Sequence, residues 1–183
     1  MRITTTTAAL AAAALAVLVA APAHAERYGV DDPQDTWHGS DIRDLSVHNG
    51  QEDLVITTTH DNLVRRASSG SALTIYLDTD RDHRGPEYVF AAGLFDGTDY
   101  LLSETDGFGP KKWGDAVENG DYILHIGYRK DRARVKIDQA TIGSPDAVRV
   151  AVRASGTRTD GTSHGLVDWV GKPRQFSPWI DRG

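Results

Sequence analysis

The chain contains no cysteine, and its only methionine is Met1. A disulfide framework is therefore excluded, and stability must come from packing or from a bound ion. Methionine ligation of a metal is likewise excluded for the chain after Met1. Beyond the N-terminal region the sequence also lacks any apolar helical periodicity of ten or more residues, so we expect little helix in the fold.

The first 25 residues have the three-part pattern of a secretory signal peptide. Arg2 supplies a positive start, residues 8–21 are an unbroken apolar run, and Ala23-His24-Ala25 is a small-x-small cleavage site. The apolar run is too short to span a bilayer, and no stop-transfer segment follows it. We therefore expect a secreted protein with no membrane span in the mature chain, residues 26–183.

Acidic residues outnumber basic residues in this chain. There are 26 Asp and Glu against 20 Lys and Arg, which gives a net charge of −6 at pH 7. An acidic surface repels phosphate backbones, so we expect no nucleic acid partner. The length after residue 25 suits one domain that buries a core of its own.

Five Asx-Gly pairs divide the chain into short segments of strand-like sequence. Such pairs accept positive φ and are the strongest short-range signal for a hairpin turn. Several segments between them alternate apolar and polar residues, as half-buried strands do. The pairs are Asn49-Gly50, Asp96-Gly97, Asp106-Gly107, Asn119-Gly120 and Asp160-Gly161. The predicted strands are 42–47, 54–59, 73–77, 88–95, 100–103, 122–128, 132–138 and 148–154.

This pattern predicts an all-β fold, a single-domain antiparallel β-sandwich that is jelly-roll-like and has about eight strands. We assign residues 41–183 to the sandwich. Residues 26–40 have little to bury, so we expect an irregular lead-in there. The segment 88–95 is apolar on both faces, which indicates a central strand.

An acidic loop follows the predicted strand 73–77. Asp78, Asp80 and Asp82 occupy alternate positions, and Glu87 comes after a tight turn. Oxygen ligands crowded on a short loop are what a hard cation such as calcium requires. The loop is not an EF-hand, because His83 stands where that motif needs glycine. We therefore predict a structural calcium ion held by these four carboxylates in a geometry of its own.

A second interpretation of the same loop needs no metal. Aspartate is a good turn former, since its side chain bonds the backbone two residues further on. Three carboxylates this close repel one another unless a counter-charge is present. In this alternative, Arg81 and Arg84 supply that charge in place of calcium.

Trp113 is the aromatic residue that we assign to ligand binding. It lies in a segment, residues 109–114, that is rich in glycine and lysine and is predicted to be a loop. A tryptophan in such a loop offers a flat face on which a sugar ring can stack. The alternative, which is the commoner fate of tryptophan in a small sandwich, is that Trp113 seals the core.

Basic residues at four strand positions predict a further feature, a basic stripe on the sheet surface. Arg134 and Lys136 alternate with apolar residues on one predicted strand, and Arg149 and Arg153 do so on another. If the two strands are neighbours, such a stripe is a candidate site for an anionic polymer. The interpretation that we favour is an ordinary solvated face balanced by cross-strand acids.

Nucleophile motifs are absent from the sequence. It has no cysteine, no Gly-x-Ser-x-Gly elbow and no Ser-x-x-Lys in a helical setting. A pair of carboxylates for glycoside hydrolysis remains open, with Glu87 and either Glu104 or Asp106 as the pair to consider. We assign no catalytic residue and expect a non-catalytic protein.

Five short segments carry a resemblance to known proteins. They are Asp41-Ile42-Arg43, Tyr76-Leu77-Asp78-Thr79-Asp80, Gly85-Pro86-Glu87-Tyr88, Val148-Arg149-Val150 and Val167-Asp168-Trp169. Through them, residues 41–104 and 148–179 resemble small secreted actinobacterial proteins without an assigned function. The order of elements is also distantly similar to family 9 carbohydrate-binding modules and DOMON domains. This resemblance implies a jelly-roll-like sandwich with an extracellular role in binding sugar or haem, and it is compatible with a structural calcium ion in the Asp78 loop.

We therefore predict a secreted, non-catalytic module that binds carbohydrate or cell-envelope material. In this prediction Trp113 contacts the ligand and calcium stabilises the acidic loop. The alternative is a secreted protein-interaction or inhibitor domain. A third hypothesis is a small hydrolase.

Overall fold

The computed structural model describes residues 26–36 and 38–183. The predicted signal peptide, residues 1–25, lies outside the described residues, and so does Trp37. Short 3₁₀ turns occur at Ala67–Ser69, Pro110–Lys112 and Gln139–Ile142. The strands are β1 (Glu26–Asp31), β2 (Ile42–Asn49), β3 (Asp53–His60), β4 (Ala72–Asp78), β5 (Tyr88–Gly93), β6 (Tyr100–Thr105), β7 (Trp113–Ala116), β8 (Tyr122–Gly127), β9 (Arg132–Asp138), β10 (Ala147–Ser155), β11 (Val167–Trp169) and β12 (Ile180–Asp181).

The strands form two antiparallel sheets that pack face to face. The first sheet has the order β1-β2-β3-β9-β8. The second has the order β11-β10-β4-β5-β6-β7. The short strand β12 pairs with the first residues of β10, whereas β11 pairs with the last residues of β10. This arrangement confirms the predicted all-β sandwich.

The core lies between the sheets because each central strand turns alternate side chains inward. Leu54 and Ile56 of β3 face the core from the first sheet, and Ile75 and Leu77 of β4 face it from the second. Phe90 of β5 is the largest fully buried side chain. Every one of these residues is 0–1% exposed, so the chain has an apolar core that contributes to stability in the absence of disulfides.

All eight predicted strands are present, and the segment 88–95 contains β5, an interior strand as expected. The predicted count was too low, because the described residues form twelve strands, and β1, β7, β11 and β12 were not predicted. The prediction of an irregular lead-in was wrong for residues 26–31, which form β1 and pair with β2 along their whole length. Tyr28 and Val30 pack against the core from this strand. The strand was missed because two apolar residues at alternate positions are too short a pattern to predict a strand.

The predicted basic stripe does not form, because β9 and β10 belong to different sheets. Arg134 and Lys136 are exposed on the first sheet, whereas Arg149 and Arg153 lie on the second. Lys136 of β9 forms an ion pair with Asp53 of the neighbouring strand β3, with its Nζ 3.0 Å from the carboxylate. At Lys136 this is the solvated face, balanced by a cross-strand acid, that we favoured from the sequence.

Three buried carboxylates connect the start of β2 to the segments around it. Asp168 of β11 accepts the backbone N–H of Ile42 at 2.7 Å. Asp32, after β1, accepts the N–H of Gly171 at 2.9 Å. Asp41 is completely buried and accepts two backbone N–H groups of the preceding loop, each at 2.6 Å. Burial, together with the charges of Asp32 and Asp41, raises the pKa of Asp168 to about 6.

This raised pKa gives the protein a pH-dependent stability. In the unfolded chain an aspartate titrates near pH 4, so folding favours the protonated form of Asp168. Its contribution is fully present below about pH 4 and is lost as the pH rises through about 6. We expect Asp168→Asn, which keeps an acceptor for Ile42, to be more stable than the parent at pH 7.5 by up to roughly 3 kcal/mol.

Chemical unfolding between pH 4 and 7.5 measures this effect. Asp160→Asn is the control, because Asp160 is exposed and Thr162 lowers its pKa, so it titrates below this window. Parallel profiles for the parent and Asp168→Asn would contradict the prediction.

Candidate functional site

A groove lies on the outer face of the second sheet. Two segments, residues 106–113 and 170–179, lie over this face and leave the groove between them. It has a volume of about 270 Å³, close to the lower end of the range for ligand pockets. Its lining residues are Thr74, Tyr76, Phe108, Gly109, Pro110, Trp113, Arg153, Trp169 and Arg174.

Aromatic rings form much of the groove surface. Tyr76 of β4 and Trp169 of β11 lie nearly parallel, with ring centroids 6.1 Å apart and an interplanar angle of 12°. Phe108 packs against Tyr76 at 4.7 Å. The Tyr76 hydroxyl accepts the N–H of Gly109 at 3.1 Å, which ties the covering loop to the sheet. These contacts fix the positions of the rings relative to the sheet.

Trp113 lies in this groove, although it was predicted to be on a loop. The 3₁₀ turn Pro110–Lys112 precedes it, and Trp113 begins the edge strand β7, where it pairs with Thr105. Its side chain is half-buried against Tyr76 and its neighbours. Its Nε1–H is buried and has no hydrogen-bond partner in the described part of the chain. Phenylalanine at this position would therefore lose no hydrogen bond.

Asp78, the first residue of the acidic loop, forms an ion pair that the sequence did not reveal. Its side chain is completely buried, and Oδ2 accepts from Nε and Nη2 of Arg149 at 2.8 and 2.6 Å. The Arg149 guanidinium lies over the rings of Phe176 and Trp179, 4.7 and 4.8 Å from their centroids. Asp78 Oδ1 is buried without a partner among the described residues. The principal counter-charge is therefore Arg149, while Arg81 bonds Asp181.

The other three predicted calcium ligands make local contacts. Glu87 accepts the N–H of Thr79 at 2.7 Å through Oε2, and its Oε1 lies 2.7 Å from Nδ1 of His83. Asp80 accepts the N–H of Asp82 at 2.9 Å, which is an Asx turn. Across residues 26–36 and 38–183, no three acidic or histidine side chains are grouped as a metal site needs. Calcium binding stays a prediction.

The carboxylates considered for hydrolysis do line one open pocket. Glu87, Glu104 and Asp106 surround a volume of about 350 Å³ beside His83. Glu87 is half-buried, and both of its oxygens are engaged by Thr79 and His83. Its role in the structure is to close the β4–β5 loop.

No protein-family model matches this chain, and a search of curated proteins finds no match. Within the described residues, none of the helical segments has the length and apolar character of a membrane-spanning helix.

The Asp78–Arg149 pair is open to a direct test of stability. We expect Arg149→Met to lower the free energy of unfolding by about 3 kcal/mol, because it leaves the buried Asp78 carboxylate without its counter-charge. Arg81→Met is the matched control. Arg81 also bonds an aspartate and covers Trp179, but its side chain and that of Asp181 are 55% and 73% exposed, so we expect a loss below about 1 kcal/mol. Similar losses in urea unfolding would contradict this assignment.

Calcium binding is tested by thermal unfolding with excess calcium and then with a chelator. A specific site raises the Tm through mass action, and we expect Asp80→Asn to reduce that shift. Asp99→Asn, at an exposed position outside the acidic loop, should leave the shift unchanged. Identical melting curves in calcium and in chelator would contradict the prediction that this loop binds calcium.

Proposed function

We propose that this protein is a secreted, non-catalytic module that binds a carbohydrate or a cell-envelope glycan in the groove of the second sheet. The observation that supports it is the aromatic surface made by the partly exposed rings of Phe108, Trp113 and Trp169, which pack on the buried Tyr76. Flat aromatic faces pack against the C–H groups of a sugar ring, while polar groups at the edge bind its hydroxyls.

The size and composition of the groove favour a sugar over other ligands. Its volume of about 270 Å³ suits a single ring. A protein partner typically buries about 800 Å² on each side, far more than this groove offers. A wholly apolar ligand would bury Thr74 and the arginines of the groove without giving them polar partners, which is costly.

The acidic loop has a structural part in this proposal. Tyr76 and Asp78 lie two residues apart on the same face of β4, so the anchor on Asp78 also fixes the aromatic ring in the groove. The ion pair with Arg149 holds the Asp78 side chain in place. A calcium ion bound by Asp78, Asp80, Asp82 and Glu87 is the proposed second contact that holds it.

Retention on a panel of neutral and acidic insoluble glycans tests the function. We expect the parent to be retained on at least one glycan and Trp113→Ala to bind it at least tenfold more weakly, which corresponds to about 1.4 kcal/mol. Trp113→Phe should keep most of the binding, because it preserves a flat ring and loses no hydrogen bond.

The control variant is Ile123→Ala, which removes an exposed apolar side chain from the first sheet, away from the groove. It should bind as the parent does. Circular dichroism and the Tm establish that each variant is folded. Equal retention of the parent and folded Trp113→Ala would defeat the proposal.

A further inference from the structure

The groove is a positively charged site on an acidic protein. Arg153 and Arg174 line it, and no Asp or Glu is among its described lining residues, although the chain as a whole carries a net charge of −6. Neither arginine forms an ion pair with any carboxylate in residues 26–36 and 38–183. Their charges are therefore available to a ligand.

Arg149 and Arg153 differ in their charge partners: Arg149 forms an ion pair with a buried carboxylate, whereas Arg153 forms none with any described residue. They lie on the same face of β10, four residues apart. Arg149 is opposite Asp78 on β4 and pairs with it, whereas Arg153 is opposite Thr74 on β4 and Trp169 on β11. Arg153 donates one hydrogen bond, from Nη1 to Ser155 Oγ at 3.3 Å. Among the residues that the structure describes, its other four N–H donors have no bonded acceptor.

Arg174 contributes a second guanidinium from the segment that covers the sheet. Its side chain is exposed, and its backbone has a φ of 63°, a left-handed conformation that is unusual for a residue other than glycine, asparagine or aspartate. The two arginines reach the groove from different elements, β10 and the 170–179 segment, beside the aromatic rings of Tyr76 and Trp169.

We propose that the glycan bound in this groove is acidic and that a carboxylate-bearing sugar, a uronic acid unit, is the ring recognised. This inference rests on the proposed function. The aromatic rings hold the face of the sugar, and Arg153 and Arg174 bind its carboxylate. A guanidinium matches a carboxylate because two parallel N–H groups meet its two oxygens. A neutral ring would leave both guanidinium groups paired only with water.

Calorimetric titration with trigalacturonate and with its full methyl ester tests the proposal, because the ester keeps the rings and removes the charge. We expect the parent to bind the acid at least tenfold more tightly than the ester. Arg153→Gln and Arg174→Gln should each weaken binding of the acid several-fold and weaken binding of the ester much less, since glutamine still donates a hydrogen bond. Raising the salt concentration should weaken binding of the acid alone.

Arg134→Gln is the matched control, since it removes the same charge from an exposed position on the first sheet. It should bind both ligands as the parent does. Equal affinity of the parent for acid and ester, with both lost in Trp113→Ala, would overturn the acidic preference and leave the sugar site standing. Failure to bind either ligand would also overturn it, and retention on the neutral glycans would then decide the broader proposal separately.

Discussion

Arg149 lies between a buried carboxylate and two aromatic rings, and the groove on the outer face of the second sheet depends on this arrangement. Asp78 holds the guanidinium from below, on the sheet, while Phe176 and Trp179 cover it from above. The ion pair is desolvated on the carboxylate side, so it tolerates no loss of one partner. Because the covering rings belong to the segment 170–179, the same contact attaches that segment to the sheet and sets one wall of the groove.

The centre of the second sheet is consequently buried on both faces. Tyr76, Val89 and Ala151 form a small apolar cluster on the outer side, under Phe108 and its aromatic neighbours. A sandwich of two layers thus acquires part of a third, made of loops. The groove is the place where this third layer is incomplete. Aromatic rings meet there with two guanidinium groups that pair with no carboxylate in the described part of the chain.

Local sequence patterns predicted most of the fold but few of the contacts at the candidate site. Period-two alternation and Asx-Gly turns predicted eight strands, but β11 and β12 are too short for any period to be visible. Arg149 was assigned to the wrong neighbours because its true partner, Asp78, is 71 residues away and strand pairing is not encoded locally. Trp113 was identified from composition alone, whereas its setting beside Trp169 required the tertiary fold.

The segments that suggested a family resemblance prove to meet in space. Asp41-Ile42-Arg43 and Val167-Asp168-Trp169 are joined by the bond from the Ile42 amide to Asp168. Arg149 meets Asp78 in the same way. These residues act as anchors between distant parts of the chain, so their spacing in sequence reports on architecture more than on a ligand.

The strand order also determines when the protein can fold. The interior pairs β3–β9 and β4–β10 each join strands that are far apart in sequence. Leu54 of β3 is opposite Ile137 of β9, and Leu77 of β4 is opposite Val150 of β10. Neither sheet has its central neighbours until β9 and β10 have been synthesised, and early hairpins such as β2–β3 expose their apolar faces until then. High contact order of this kind slows folding to the range of milliseconds to seconds. The nascent chain therefore stays open through most of its synthesis and closes only as its last third arrives.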